Sequence, residues 1–207
     1  MNYFKKIDGF YKEFFNIFSI NIDYFNLNNY EKIFKKIISD YKKKSPYLSY
    51  NDIKFRIIRD YILENNDYNS IMLLMFKKYN FNYKPVIKKI FITKGNLNQI
   101  KRNGHTIGLH SHNHPTRMNQ LSYNEQLNEY KTNKKIIKDI LGIKEINSMS
   151  HPNGNYNKDT LKILTNLKLS IGFKPTMLID ENMKKINNTN LEVARENHAN
   201  ILRQIKK

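Results

Sequence analysis

The chain has 207 residues, enough for one sizeable core and short for two, and its 40% hydrophobic and 13% aromatic content marks a sequence that folds. It contains no cysteine, which excludes disulfides and thiolate metal sites, and no apolar run approaches the roughly 18 residues that span a bilayer. A net charge of +18 would suit a nucleic-acid partner, yet the lysines are dispersed and no nucleic-acid motif accompanies them, so drift in composition is the simpler reading.

In chain order, Met1 to Lys6 meets Asp8 and Glu13 at once and lacks a small-residue cleavage site. No secretory leader is therefore expected, and a cytoplasmic protein is the default. Residues 1–85 read as a helical N-terminal region, either part of the same domain as residues 86–207 or an insertion in it. Phe10, Phe14, Phe15 and Phe18 recur at helical spacing, as do Ile33, Phe34, Ile37, Ile38 and Tyr41. Ser49 with Asp52, and Asn69 before Ile71, are the expected helix starts. These stripes are core, and they carry no chemistry.

From residue 86 the pattern changes. Asn96 to Arg102 predicts a short helix stopped at Asn103-Gly104, and His105 to Leu109 predicts a buried strand in which Gly108 permits a close backbone approach. A polar loop runs from His110 to Leu121. Ser122 and Glu125 then form a capping box for a long helix that ends at Gly142. A short segment near Ile146 to Met149, a second polar loop, a helix from Lys158 capped by Asn157, and a strand at Leu169 to Phe173 come next. This alternation predicts parallel βα units with polar loops at the carboxyl ends of the strands.

Five of the six histidines lie between His105 and His151, and three fall within His110 to His114. Neutral imidazole is a ready ligand for zinc and its neighbours, and two rings four residues apart at a strand end can meet one ion. Such loops also carry catalytic groups in α/β barrels. A solvated loop of idle histidines is the alternative, and the density of the cluster favours metal.

The run Gly104-His105-Thr106-Ile107-Gly108-Leu109-His110-Ser111-His112-Asn113-His114-Pro115 resembles the second motif of the polysaccharide deacetylases of NodB-homology type. The resemblance implies that His110 and His114 bind a divalent metal, most simply zinc, and that Ser111 supports the loop. It gives no ligand role to His112, and His105 reads as structural. Ser150-His151-Pro152-Asn153-Gly154 resembles the third motif, which walls the substrate groove. On that likeness Pro152, Asn153 and Gly154 form the substrate loop, the Asn153 amide holds an oxyanion, and Ser150 stands where many members have arginine. Leu191 to His198 resembles the last strand and loop, which makes His198 the implied general acid.

The family's first motif, a strand ending in two aspartates and a glycine, is not reproduced. Ile7-Asp8-Gly9-Phe10 offers one acid and no preceding apolar strand. The third ligand and the general base are thus unassigned, and the chain reads as a fragment or a shortened relative. The expected fold is α/β, an incomplete or distorted (β/α) barrel, with residues 86–207 as the deacetylase-like region. The expected function is metal-dependent removal of N-acetyl groups from a carbohydrate. The alternatives are an inactive relative acting as a binding or scaffold protein, and a basic nucleic-acid-binding protein.

Overall fold

The structure is a computed structural model, and it describes residues 7–21, 30–44, 47–175, 177, 188–196, 201, 202 and 205. The chain divides into two compact units, Met1–Lys89 and Ile90–Lys207. No helix among the described residues is long and apolar enough to cross a membrane.

The first unit is helical. It contains α1 (Ile7–Ile20), α2 (Tyr30–Lys44), α3 (Tyr50–Ile57), which continues as a π-helical turn (Ile58–Ile62), and α4 (Asn65–Lys78). α5 (Lys84–Ile90) closes it. Ser49 caps α3 as expected, its hydroxyl accepting the Asp52 amide at 3.1 Å. Phe14, Phe18, Ile53, Ile57, Ile58 and Ile71 make the buried centre, with Phe10, Phe55 and Tyr68 against it. Asn69 does not start a helix. It lies one turn inside α4, whose cap is Glu64, because Tyr68 already packs on the core and draws the preceding turn into the helix.

The second unit opens with α6 (Lys94–Arg102), capped reciprocally by Thr93 and Asn96. α7 (Tyr123–Leu141) begins at the Ser122/Glu125 capping box and ends at Gly142, which takes the left-handed conformation at φ 60°. β1 (Ser148–Ser150), α8 (Lys158–Asn166) and β2 (Ile171–Lys174) form a βαβ unit, and β3 (Val193–Ala194) comes after it. The strands lie parallel in the order β1-β2-β3, with Ser148 opposite Ile171 and Phe173 opposite Val193. Leu109, Met118, Tyr130, Met149, Ile163 and Leu164 form the core beneath them.

His105 to Leu109 is not a full strand. Only Leu109 bridges to Met149, through its amide to the Ser148 carbonyl and its carbonyl to the Ser150 amide, both at 2.9 Å. His105 and Thr106 are exposed and pair with no strand among the described residues. Gly108 does lie tight on the sheet: a Cβ there would fall 2.8 Å from the Ser148 hydroxyl and 2.9 Å from its carbonyl oxygen. The architecture is α/β, an incomplete (β/α) barrel that among the described residues has three parallel strands and one bridged residue, with α7 and α8 packed together.

Candidate metal and substrate site

Parallel strands deliver their next residues to one end of the sheet, the end where α/β proteins place ligands. Here those residues are His110 after Leu109, His151 after β1, Lys174 at the end of β2, and Arg195 after β3.

The histidine loop is held from α7. The capping box sets the start of that helix, so Glu129 and Asn133, one turn apart, meet the loop. Glu129 is 7% exposed, and its Oε2 accepts the amides of His112 (2.9 Å) and Asn113 (2.7 Å) while Oε1 accepts the Asn113 side-chain amide (2.7 Å). Asn133 Oδ1 accepts the His110 amide at 3.0 Å. Within the loop, the buried Ser111 hydroxyl accepts the His114 amide at 3.1 Å. Ser111 and His114 both adopt left-handed backbone angles, φ 65° and 53°.

The loop brings the His110 and His114 rings together, with centroids 4.8 Å apart and planes inclined at 58°. His110 Nδ1 lies 2.7 Å from the Ser150 carbonyl oxygen. A carbonyl can only accept, so the proton sits on Nδ1 and the lone pair on Nε2 is left for a ligand, the arrangement seen behind metal-bound histidines. Two imidazoles with one nitrogen so fixed fit part of the ligand set of a zinc-class cation. Among the described residues no group of three His, Cys, Asp or Glu side chains could hold a metal. His112 and His105 are exposed, and His112 joins the loop scaffold through its backbone. His198 lies outside the described residues.

The second loop abuts the first. Asn155 Oδ1 accepts the Asn119 amide at 3.0 Å, and the Asn157 side chain donates to the Asn119 carbonyl at 2.9 Å. Pro152 is buried, Asn153 is exposed at φ 52°, and Gly154 has φ 69°. A side chain on Gly154 would also run into the Pro175 ring, whose carbons lie 2.6 Å from the Cβ position.

Two residues to which the sequence assigned no role complete this end of the sheet. His151 is 2% exposed, donates from Nε2 to the Leu191 carbonyl at 2.7 Å and stacks on Tyr156 at 4.1 Å. Its Nδ1 has no hydrogen-bond partner, and burial pushes its pKa below the usual histidine value. Arg195 donates from Nη2 to the Ser150 hydroxyl (2.8 Å) and from Nε to the Lys174 carbonyl (3.3 Å), with its guanidinium 5.6 Å from the centre of the Phe173 ring. Glu129 had a readable signal: with Gln126, Tyr130 and Asn133 it falls at helical spacing, an acid on an inward-facing stripe.

A sequence profile described as polysaccharide deacetylase matches residues 38–172, more than half of the chain. The chain belongs to the polysaccharide deacetylase family. None of the curated proteins matches it. Among solved structures, a Streptococcus pyogenes deacetylase, PplD, in complex with acetate is 19% identical at a TM-score of 0.45, over 80% of this chain and 79% of that one. The BpsB deacetylase domain from Bordetella bronchiseptica is 18% identical at a TM-score of 0.42, over 51% of this chain. This family member spans 48% of that domain's length. A de-N-acetylase from Aggregatibacter actinomycetemcomitans is 15% identical at a TM-score of 0.41, over 64% of this chain and 65% of that one.

Proposed function

We propose that this deacetylase-family protein hydrolyses N-acetyl groups on a carbohydrate in a metal-dependent reaction, with His110 and His114 as two of the metal ligands. The observation that carries this reading is the converging ring pair, with His110 Nδ1 tied to the Ser150 carbonyl. A divalent cation, zinc by its taste for imidazole, would acidify a water and polarise the acetamide carbonyl when bound. Glu129, Asn133 and Ser111 hold the histidine loop in shape through its backbone amides. Pro152, Asn153 and Gly154 would form the wall against which the sugar lies, the Asn153 amide facing the charge that grows on the carbonyl oxygen. His198 is our candidate for returning a proton to the leaving amine. Water adds to the acetamide carbon and the carbon–nitrogen bond breaks, which yields acetate and a free amine. The helical residues 1–85 would serve as an insertion in, or part of, the same domain as residues 86–207.

A second reading, an inactive relative that binds without hydrolysis, is favoured by the donor set. Asp8 lies within α1 and not at a strand end, and the described residues offer no third ligand beside the two histidines. One experiment separates the two. Zinc affinity of the purified chain is measured by calorimetry, and acetate release from an N-acetylated chito-oligosaccharide is followed with zinc in excess. The first reading expects zinc binding that weakens at least tenfold in His110→Ala, together with zinc-dependent acetate release. Zinc binding without release selects the second, and equal, negligible zinc binding by both proteins rejects the metal site.

A further inference from the structure

We infer that Arg195 forms a carboxylate-binding subsite beside His110. A guanidinium has two edges able to grip a planar anion: the side edge, Nε with Nη2, and the end edge, Nη1 with Nη2. In Arg195 the side edge is spent on the protein, Nε on the Lys174 carbonyl at 3.3 Å and Nη2 on the Ser150 hydroxyl at 2.8 Å. The plane is further steadied by the Phe173 ring. The end edge keeps its hydrogens, and no carboxylate of the described residues pairs with it. An arginine so pinned loses little freedom on binding, which sets it apart from a lysine waving in solvent.

Its neighbours place the subsite. Ser150 holds Arg195 through its hydroxyl and the His110 ring through its carbonyl, so one residue joins the guanidinium to the imidazole. A flat, bidentate edge with a single charge suits a carboxylate, carried either by a small acid such as acetate or by an acidic sugar. The subsite does not depend on the proposed metal, because its donors are all protein groups.

The test uses the full chain stripped of metal and then dialysed free of chelator, so that neither a cation at His110 and His114 nor a chelator carboxylate interferes. Sodium acetate and sodium glucuronate are titrated separately against a constant chloride background, and binding is followed by the side-chain NMR signals of arginine. Saturable binding should weaken at least tenfold in Arg195→Met and less in Arg195→Lys, while the exposed control Lys158→Met is unchanged. Preference for acetate or for glucuronate names the source of the carboxylate. Ser150→Ala, which frees the guanidinium without removing it, should weaken binding severalfold and serves if Arg195→Met fails to fold. Unchanged affinity in Arg195→Met, or binding no tighter than chloride, overturns the subsite; His110→Ala losing zinc while keeping the carboxylate leaves it standing.

Discussion

Among the described residues the helical unit buries one polar side chain, Asp60, paired with Arg59 at 2.5 Å, whereas the sheet-bearing unit buries Ser111, Gln126, Glu129, His151, Thr160, Lys174 and Glu192. The first centre is made of rings and isoleucines: Phe55 meets Phe14 edge-on at 4.8 Å and Phe10 at 5.4 Å. The second is threaded with hydrogen bonds, from Thr160 to Gln126 at 2.5 Å and from Tyr156 to Glu192 at 2.9 Å. Apolar packing tolerates many solutions, while a buried polar group must find its partner or cost stability. The demanding interior is the one beneath the histidine loop, so the two units should respond differently to perturbation.

The largest expected effect is in the helical unit. Phe14→Ala empties the middle of the ring cluster and should cost about 3–5 kcal/mol there. Hydrogen exchange read unit by unit checks it, with zinc affinity unaltered; a matching loss of zinc would break the comparison. Next comes Glu129→Ala, which strips the acceptor from two backbone amides and one side-chain amide. It should cost about 1–3 kcal/mol in urea denaturation and, as support behind the proposed metal loop, about tenfold or more in zinc affinity. Glu129→Gln, which keeps one acceptor oxygen, should fall between.

The smallest effect is a pH response confined to the second unit. His151 is neutral when buried, its folded pKa below the unfolded value of about 6.5. As pH falls below that value the unfolded chain takes up the proton first, so stability present at pH 7.5 is lost toward pH 5.5. The first unit contains no histidine, and its exchange rates, corrected for the intrinsic pH effect, should not follow. In His151→Phe, which keeps a ring against Tyr156, the slope of the second unit should flatten; an unchanged slope would assign the titration elsewhere.

What could be read from the residues was local. Ser122 and Glu125 sit three positions apart and cap α7 as their types require, as Ser49 and Asn157 cap α3 and α8. Gly142 marks a helix end because few other residues take its backbone angle. The pairing of His110 with His114 is likewise a matter of short spacing. The rest depends on distant partners. Glu129 reaches amides 16 and 17 positions away, and Arg195 reaches Ser150 across 45. Periodicity cannot show such meetings. The expectation of a strand before His110 failed for the same reason: apolar residues can promise a strand, but a ladder needs a neighbour along its whole length, and among the described residues the segment meets one only at Leu109.

Ser111, His114 and Asn153 are not glycines, yet each holds a positive φ. Such angles cost on the order of 1 kcal/mol apiece and survive only where the surroundings insist on them. For the histidine loop those surroundings are Glu129 and Asn133, and for the second loop the turn at Pro152, all groups of the protein itself. A visitor meets a ready-made mould: little disorder is left to freeze on association, and an ion or sugar wanting a different shape would have to break those anchoring hydrogen bonds to obtain it.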